Sequence, residues 1–399
     1  MTNRSQNIRL SLIFIMMLNL KPRSIYGSVD VVFIESSVYT FVEVLLFQHY
    51  MMNKELLMSE VLNKNIDIDV AIKQPAKLVI DDGSKAAKMV FLDEQGNLVS
   101  QKTDNAFVKG FRVAHNNSQP FNYLVDGLER YSYHKESTAK LETTDVSHQY
   151  DVISRLNVHH AMHASEIPPQ RVHVHVTLPL SQFYNSFGEK NAENIQRKKV
   201  NLLKPVARYL NGENATFEIV EVSVFPESLP AVARADELNK IESFEVSLVI
   251  DLGGTTLDVA SITGQLEQIS KVQGFDQIGC GVVYDEIRRC LQKMQLSDND
   301  AYIEHLIANR DDINKIKVTN ESLRSELFGE INLAVEKLHT LVLKAAKGVE
   351  DRPHNVFIVG GGAYLIADML KAEYATSNVV VVDDPQFALA YGISDSVFE

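Results

Sequence analysis

Cysteine is nearly absent from this 399-residue chain: Cys280 and Cys290 are the only two. Two thiols cannot build a disulfide framework or a four-cysteine zinc site, so a reducing compartment is the simplest reading and a cytoplasmic location is expected. Positive charge is also short. There are 39 Lys and Arg against 52 Asp and Glu, a formal net charge of −13. That argues against an extended basic face for wrapping nucleic acid, and no direct nucleic-acid contact is expected. The apolar stretch Leu10–Leu20 is broken by Ser11 and Asn19. It falls short of the roughly 20 apolar residues that span a bilayer, and no membrane contact is expected. What is present is ordinary globular material, 45% hydrophobic and 23% charged. Disorder throughout and a collagen-like chain are excluded, and the length predicts two or three domains.

Residues 1–75 differ in character from the rest. They hold six of the ten methionines, and their seven basic and seven acidic residues cancel, so the whole net charge lies in residues 76–399. Arg4 and Arg9 before Leu10–Leu20 resemble the start of a signal peptide, but no small-residue cleavage pattern follows. Residues 1–75 are therefore read as an atypical extension outside the core fold, with Met51, Met52 and Met58 as alternative starts.

The body is regular. Lys77-Leu78-Val79-Ile80 is an apolar run that ends in Asp81-Asp82-Gly83-Ser84, a strand followed by a tight polar turn. Residues 88–92 read as the next strand and 93–97 as a hairpin turn. Residues 147–165 read as helix, 171–180 as a strand of period two, 192–203 as a basic helix and 216–224 as a strand. The strand–acidic turn–strand pattern recurs 170 positions later, where Val246–Ile250 runs into Asp251-Leu252-Gly253-Gly254-Thr255-Thr256. Residues 282–347 read as mostly helical, with amphipathic stretches around 283–294 and 321–347. Strand Asn355–Val359 runs into Gly360-Gly361-Gly362, and a strand at 379–382 precedes a short helix from Pro385.

Each acidic turn sets an aspartate at the end of a buried strand, with glycine and hydroxyl residues behind it. Glycine lets the backbone approach a ligand, and successive N–H groups in a tight turn make an anion-binding concavity. Ser84, Thr255 and Thr256 add hydroxyl donors. Asp81 and Asp251 repel phosphate, so they suit a magnesium ion held through water. Two such hairpins on facing domains would clamp the β- and γ-phosphates, with Lys88 adding a positive charge. The turn Gly360-Gly361-Gly362 suits close approach of a flat group or a phosphate.

With these motifs in this order, residues 77–399 resemble the actin / sugar-kinase / heat-shock-chaperone ATPase superfamily. Within it they are most similar to the ParM (StbA) family. The narrower resemblance rests on Val158-His159-His160-Ala161, Thr177-Leu178-Pro179-Leu180, Glu193-Asn194-Ile195 with Arg197-Lys198-Lys199, Pro226-Glu227-Ser228 and Ile250 to Asp258. It implies a two-domain actin-like (ribonuclease H-like) α/β fold with nucleotide in the interdomain cleft. The domains expected are 76–244 and 245–382, with residues 383–399 a terminal helix returning to the first. Asp81, Asp82, Gly83, Ser84, Lys88, Asp251, Gly253, Gly254, Thr255, Thr256, Gly360, Gly361 and Gly362 would contact nucleotide. Glu227 would position the attacking water, a role a carboxylate at a domain junction can fill. The bland alternative is that Pro226-Glu227 opens a helix and favours its dipole. The cofactors implied are ATP, with GTP as the alternative, and Mg2+. The partners implied are further copies of the chain in a filament and an adaptor protein bound to plasmid centromere DNA. The function implied is segregation of low-copy plasmids by polymerisation and ATP hydrolysis. The competing function is a small-molecule kinase of the same fold.

The sequence departs from the family at position 85, where lysine replaces the usual small or hydroxyl residue. The histidines 159, 160, 163, 173 and 175 have spacings that suggest zinc, but core or surface positions account for them better. The Arg197-Lys198-Lys199 run is read as a solvated helix face or a filament contact. Cys280 and Cys290 are expected to be buried or inert.

Overall fold

The computed structural model describes residues 74–399 except 114–118, 136, 138, 142, 144, 186–187 and 236–239. The expectations for the N-terminal extension fall almost wholly outside the described residues. Residues 74–399 form one unit. Three five-stranded sheets organise it. The first has the order β10-β7-β1-β2-β3, from β1 (Ala76–Asp82), β2 (Ala86–Leu92), β3 (Leu98–Asp104), β7 (Arg171–Leu178) and β10 (Glu218–Pro226). A small sheet comprises β4 (Phe107–Lys109), β5 (Asn122–Val125), β6 (Glu129–Tyr133), β8 (Val206–Leu210) and β9 (Glu213–Ala215). The third has the order β13-β12-β11-β14-β15, from β11 (Val246–Leu252), β12 (Leu257–Thr263), β13 (Gln268–Phe275), β14 (Asn355–Val359) and β15 (Asn378–Val381).

The first and third sheets share one design. β1 pairs antiparallel with β2 and parallel with β7, and β11 pairs antiparallel with β12 and parallel with β14. The repeat seen in the sequence is thus a repeat of topology. β1 and β11 are central, so both of their faces are covered, which is why they read as unbroken apolar runs. Alternation still divides them. Leu78 and Ile80 face a core with Met89, Val158 and Met162. Leu248, Ile250 and Leu252 face a core with Val283, Ile287, Ile331, Leu338 and Ile366. Val79 and Val249, on the opposite faces, join a single core with Phe357, Ala390 and Ile393. This shared core ties the two sheets together.

Helix Val152–His163 covers the first sheet; Asp151 caps it by accepting from the Ile153 amide at 2.8 Å. The segment read as one helix from 147 is broken there, because Val146–Tyr150 is a separate 3-10 turn. Helices Gly281–Lys293, Asp300–Ala308, Glu321–Val349 and Ala363–Glu373 cover the third sheet. The longest starts where Asn320 accepts from the amides of Ser322 and Leu323, at 3.0 and 3.1 Å. Its buried Leu327, Ile331, Leu338, Val342 and Val349 make the helical stripe that the sequence displays. The last helix, Ala388–Phe398, returns to the first sheet. Lys77 Nζ donates to the Val397 carbonyl at 2.8 Å, and the Tyr391 hydroxyl donates to Ser100 at 3.0 Å.

Candidate active-site cleft

The β1–β2 register sets Asp81 opposite Lys88 and Asp82 opposite Ala87. Successive strand residues point to opposite faces, so the two adjacent aspartates have different surroundings. Asp81 accepts from Lys88 Nζ at 2.8 Å and from Thr177 Oγ1 at 3.2 Å. Burial works against the Lys88 charge, but Asp81, with Glu227 and Asp251 behind it, raises the Lys88 pKa overall. Asp82 turns the other way. Lys198 Nζ donates to it at 2.5 Å and Ser154 Oγ at 3.0 Å, and both members of the ion pair are fully buried. Burial pushes the Asp82 pKa up, and the Lys198 charge opposes that shift. Lys198 also donates to Gln149 and Ser154.

Two sequence expectations change here. Asp82 was grouped with the nucleotide-contacting residues, but its carboxylate is committed to Lys198 and Ser154. The basic run at 197–199 is no uniform solvated face: Lys198 is buried, while Arg197 lies 4.2 Å from the ring of Tyr150.

The second hairpin mirrors the first. The Gly253 amide donates to the Thr256 carbonyl at 2.9 Å and closes the turn. The amides of Cys280 and Gly281 donate to the carbonyls of Gly253 and Gly254, at 3.1 and 2.8 Å, which seats the turn on the start of helix Gly281–Lys293. A Cβ at Gly279 would lie 2.6–2.7 Å from the Thr255 backbone, so only glycine permits this packing. The two hairpins meet directly: Thr255 Oγ1 donates to Ser84 Oγ at 2.8 Å.

The glycine run after β14 reaches the same place. Gly360 has φ +86°, and a Cβ there would lie 2.2 Å from Asp251 Oδ1 and 2.6 Å from the Leu252 carbonyl. The Gly362 amide donates to the Leu252 carbonyl at 2.8 Å, and a Cβ at Gly362 would lie 2.5 Å from Cys280 Sγ. Gly361 differs from its neighbours: a Cβ there meets nothing within 4 Å.

Glu227 follows β10, whose last residue is Pro226, and precedes the short helix Leu229–Ala233. It does not open that helix. Ser228 between them has φ +67°, a left-handed conformation uncommon for a non-glycine residue, and its hydroxyl donates to Asp251 Oδ2 at 2.7 Å. Burial, together with repulsion from Asp81, Asp258 and Asp251, pushes the Glu227 pKa well above the usual carboxylate range against the pull of Lys88. Burial raises Asp251 to about 6 and Asp258 to about 7. Three carboxyls, Asp81, Glu227 and Asp251, thus act on Lys88, and Asp258 adds its charge beside Glu227 and Asp251.

Sequence reading named neither Asp258 nor Ser228 as a site residue. Asp258 had a signal, because it is an acid inside a strand whose neighbours are all apolar. Ser228 had none, because its role depends on a strained backbone. The histidines are core residues: His159, His160, His163 and His175 are buried, and the Tyr123 hydroxyl meets His160 Nδ1 at 2.8 Å. Burial pushes the Cys280 thiol up to about 12, which makes it unreactive.

A sequence profile described as plasmid segregation protein ParM, N-terminal, matches residues 76–238, and its C-terminal counterpart matches residues 241–396. No curated protein matches the sequence. Among solved structures, a non-polymerisable quadruple mutant of pCBH ParM superposes with a TM-score of 0.60 at 15% identity, covering 82% of this chain and 99% of that one. An archaeal actin homologue in complex with ADP gives a TM-score of 0.58 at 19% identity, covering 81% and 99%. A subunit of a 15-stranded ParM filament from Clostridium botulinum gives 0.57 at 14% identity, covering 81% and 99%. At these identities the superpositions establish the two-domain actin-like fold.

Proposed function

The chain belongs to the ParM family of plasmid segregation proteins, and from that membership we propose a filament-forming actin-like ATPase that moves low-copy plasmids apart. The observation that carries the proposal is the meeting of two like hairpins and a glycine turn in one cleft, within a chain matched along its body by both halves of the family.

In this reading the nucleotide lies between the hairpins. Gly83, Ser84, Gly253, Gly254, Thr255 and Thr256 present backbone amides and hydroxyls to the phosphates, and Gly360–Gly362 line the nucleoside side. Lys88 supplies the buried cation. The donor set fits magnesium. Burial pushes the carboxyls of Asp251 and Asp258 up to about 6 and about 7, with repulsion from Asp81 and Asp251 respectively adding to it, and a cation would favour their charged forms. Among the described residues no three His, Cys, Asp or Glu side chains converge to cage a metal. Magnesium dehydrates reluctantly and leans on waters and substrate phosphates, so it needs no cage made wholly of protein. Magnesium, when bound, neutralises phosphate charge and orients the terminal phosphoryl group. Asp81 and Asp251 would hold it, through water. Glu227 orients the attacking water and takes its proton, and its raised pKa returns to the working range once positive charge enters the cleft.

ATP is the nucleotide favoured, with GTP the alternative. Bound nucleotide favours one closure of the two domains and so the subunit contact of the filament; hydrolysis weakens that contact. The acidic body reaches DNA through an adaptor at the centromere rather than directly. Among the described residues no helix is long and apolar enough to cross a membrane.

Light scattering on adding Mg–ATP tests the reading. A rise that decays as ATP is consumed supports it. ATP consumption that requires a sugar or an acid, with no rise, moves the chain to the kinase reading. Glu227→Ala should still bind ATP and polymerise but hydrolyse at least about tenfold more slowly. Hydrolysis at the parental rate would refute the assignment of Glu227.

A further inference from the structure

Lys85 is the residue by which the first hairpin departs from its family, and the structure sets its side chain across the cleft. The residue is exposed. Its stem crosses the second hairpin so closely that a Cβ at Gly254 would lie 2.2 Å from Lys85 Cγ and 3.3 Å from Cδ. Its ammonium ends 5.7 Å from the centroid of the Tyr284 ring, one turn into helix Gly281–Lys293. Lys85 therefore spans from the Ser84–Thr255 contact toward Cys280, whose Sγ abuts Gly362.

That path separates Lys85 from the other cleft cation. Lys88 is paired with Asp81 and feels Glu227 and Asp251. Among the described residues Lys85 makes no ion pair; its ammonium faces the Tyr284 ring. A partly solvated cation–ring contact is weak beside a lysine–phosphate hydrogen bond, so an entering polyphosphate competes well for the ammonium. Its ammonium lies on the side of Cys280 and the glycine run, away from Glu227, and so would reach the part of a bound phosphate chain nearest that run.

We propose that Lys85 is a phosphate-binding residue that grips the α/β-phosphates of the nucleotide, leaving Tyr284 to do so. The proposal rests on the reading of the cleft as a nucleotide site. A group that holds α/β-phosphates holds substrate, transition state and product alike, so it sets affinity and ADP retention without touching the chemical step.

The test uses the full chain with Lys85→Met, which keeps the stem and removes the charge, and Lys85→Arg, which keeps a cation. ADP affinity is titrated with Mg2+ at low and high salt, and ATP hydrolysis gives KM and kcat. The expected result for Lys85→Met is about a tenfold weaker Kd for ADP and a similar rise in KM, with kcat unchanged. The deficit should shrink at high salt, and Lys85→Arg should recover most of it. ADP affinity within twofold of the parent, tighter binding, or a fall in kcat alone would each overturn the proposal while leaving the cleft a nucleotide site. A parent chain that binds no nucleotide would overturn both.

Discussion

Replacing Lys198 by methionine removes a charge from a place with no water, and its cost can be worked from the structure. Lys198 and Asp82 are both fully buried and 2.5 Å apart, and the ammonium also serves Gln149 and Ser154. Methionine fills much of the same volume, so the loss is chiefly electrostatic. Asp82 would keep one donor, Ser154, and its burial would favour the neutral acid. Protonation sets the upper limit of the cost. Holding a carboxyl of ordinary pKa 3.8 neutral at pH 7 costs about 1.36 × 3.2, or about 4 kcal/mol. That agrees with the 3–5 kcal/mol typical of breaking a buried ion pair, and it is a large part of a domain's stability. The sign follows from linkage. In the variant the folded state binds the extra proton, so its stability relative to the parent improves as pH falls, and the deficit drops to at most about 1.6 kcal/mol at pH 5. Urea unfolding at both pH values measures it. The double variant Asp82→Asn with Lys198→Met should lose less than Lys198→Met alone and show no such pH dependence. A single-variant deficit below about 1 kcal/mol at pH 7, or one that grows on acidification, would show that the pair is not a closed, dry contact.

Three further outcomes follow from the cleft. Asp251→Ala should weaken Mg–nucleotide binding at least about tenfold, read by titration with and without magnesium, because it removes one of the two carboxylates offered to the ion. Gly360→Ala should abolish nucleotide binding and lower the melting temperature, since its Cβ would fall 2.2 Å from Asp251 Oδ1 at φ +86°; an unchanged melting curve would contradict the close approach. Asp251 near 6 and Asp258 near 7 take up protons in the empty folded cleft. Binding of Mg–nucleotide should therefore draw about one proton from this pair at pH 6.5 and fewer at pH 8.5, with any proton from Glu227 in addition, and affinity should fall as pH falls. Calorimetry in buffers of different ionisation enthalpy detects this, and heats independent of buffer at pH 6.5 would count against it.

The central strands and their turns were legible in the sequence because burial on both faces writes itself as an apolar run, and a close backbone approach writes itself as glycine. The turns that carry Asp81, Asp251 and the glycine run stand where those signals put them. The small sheet was not. Its strands are three to five residues long, too short for a period to show, and they are drawn from segments about 100 residues apart. Asp82 and Lys198 were misread for a different reason. Adjacent aspartates look like one acidic site until a register separates their faces, and a lysine between two basic neighbours looks solvated. Helical spacing held the correction: Ile195, Lys198 and Leu202 share one face, and Leu202 is buried. Sequence spacing could not reveal the partner, which lies 116 residues away.

The return of the terminal helix to the first sheet has a mechanical consequence. The polypeptide passes between the two sheet bodies once between β10 and β11 and again between β15 and helix Ala388–Phe398. Two bodies joined by a single tether can swivel about it freely. Joined at two points, like a door on two pins, they retain chiefly the rotation about the line through both. At the mouth, the latch is the Thr255–Ser84 hydrogen bond, about 1 kcal/mol deep, with the weak Lys85–Tyr284 contact beside it. A hinge that allows one motion and a latch that thermal energy can lift together make a device whose position is set by what lies between its jaws. Shortening the chain before Ala388 would remove a pin, and with it the restriction to a single direction of opening.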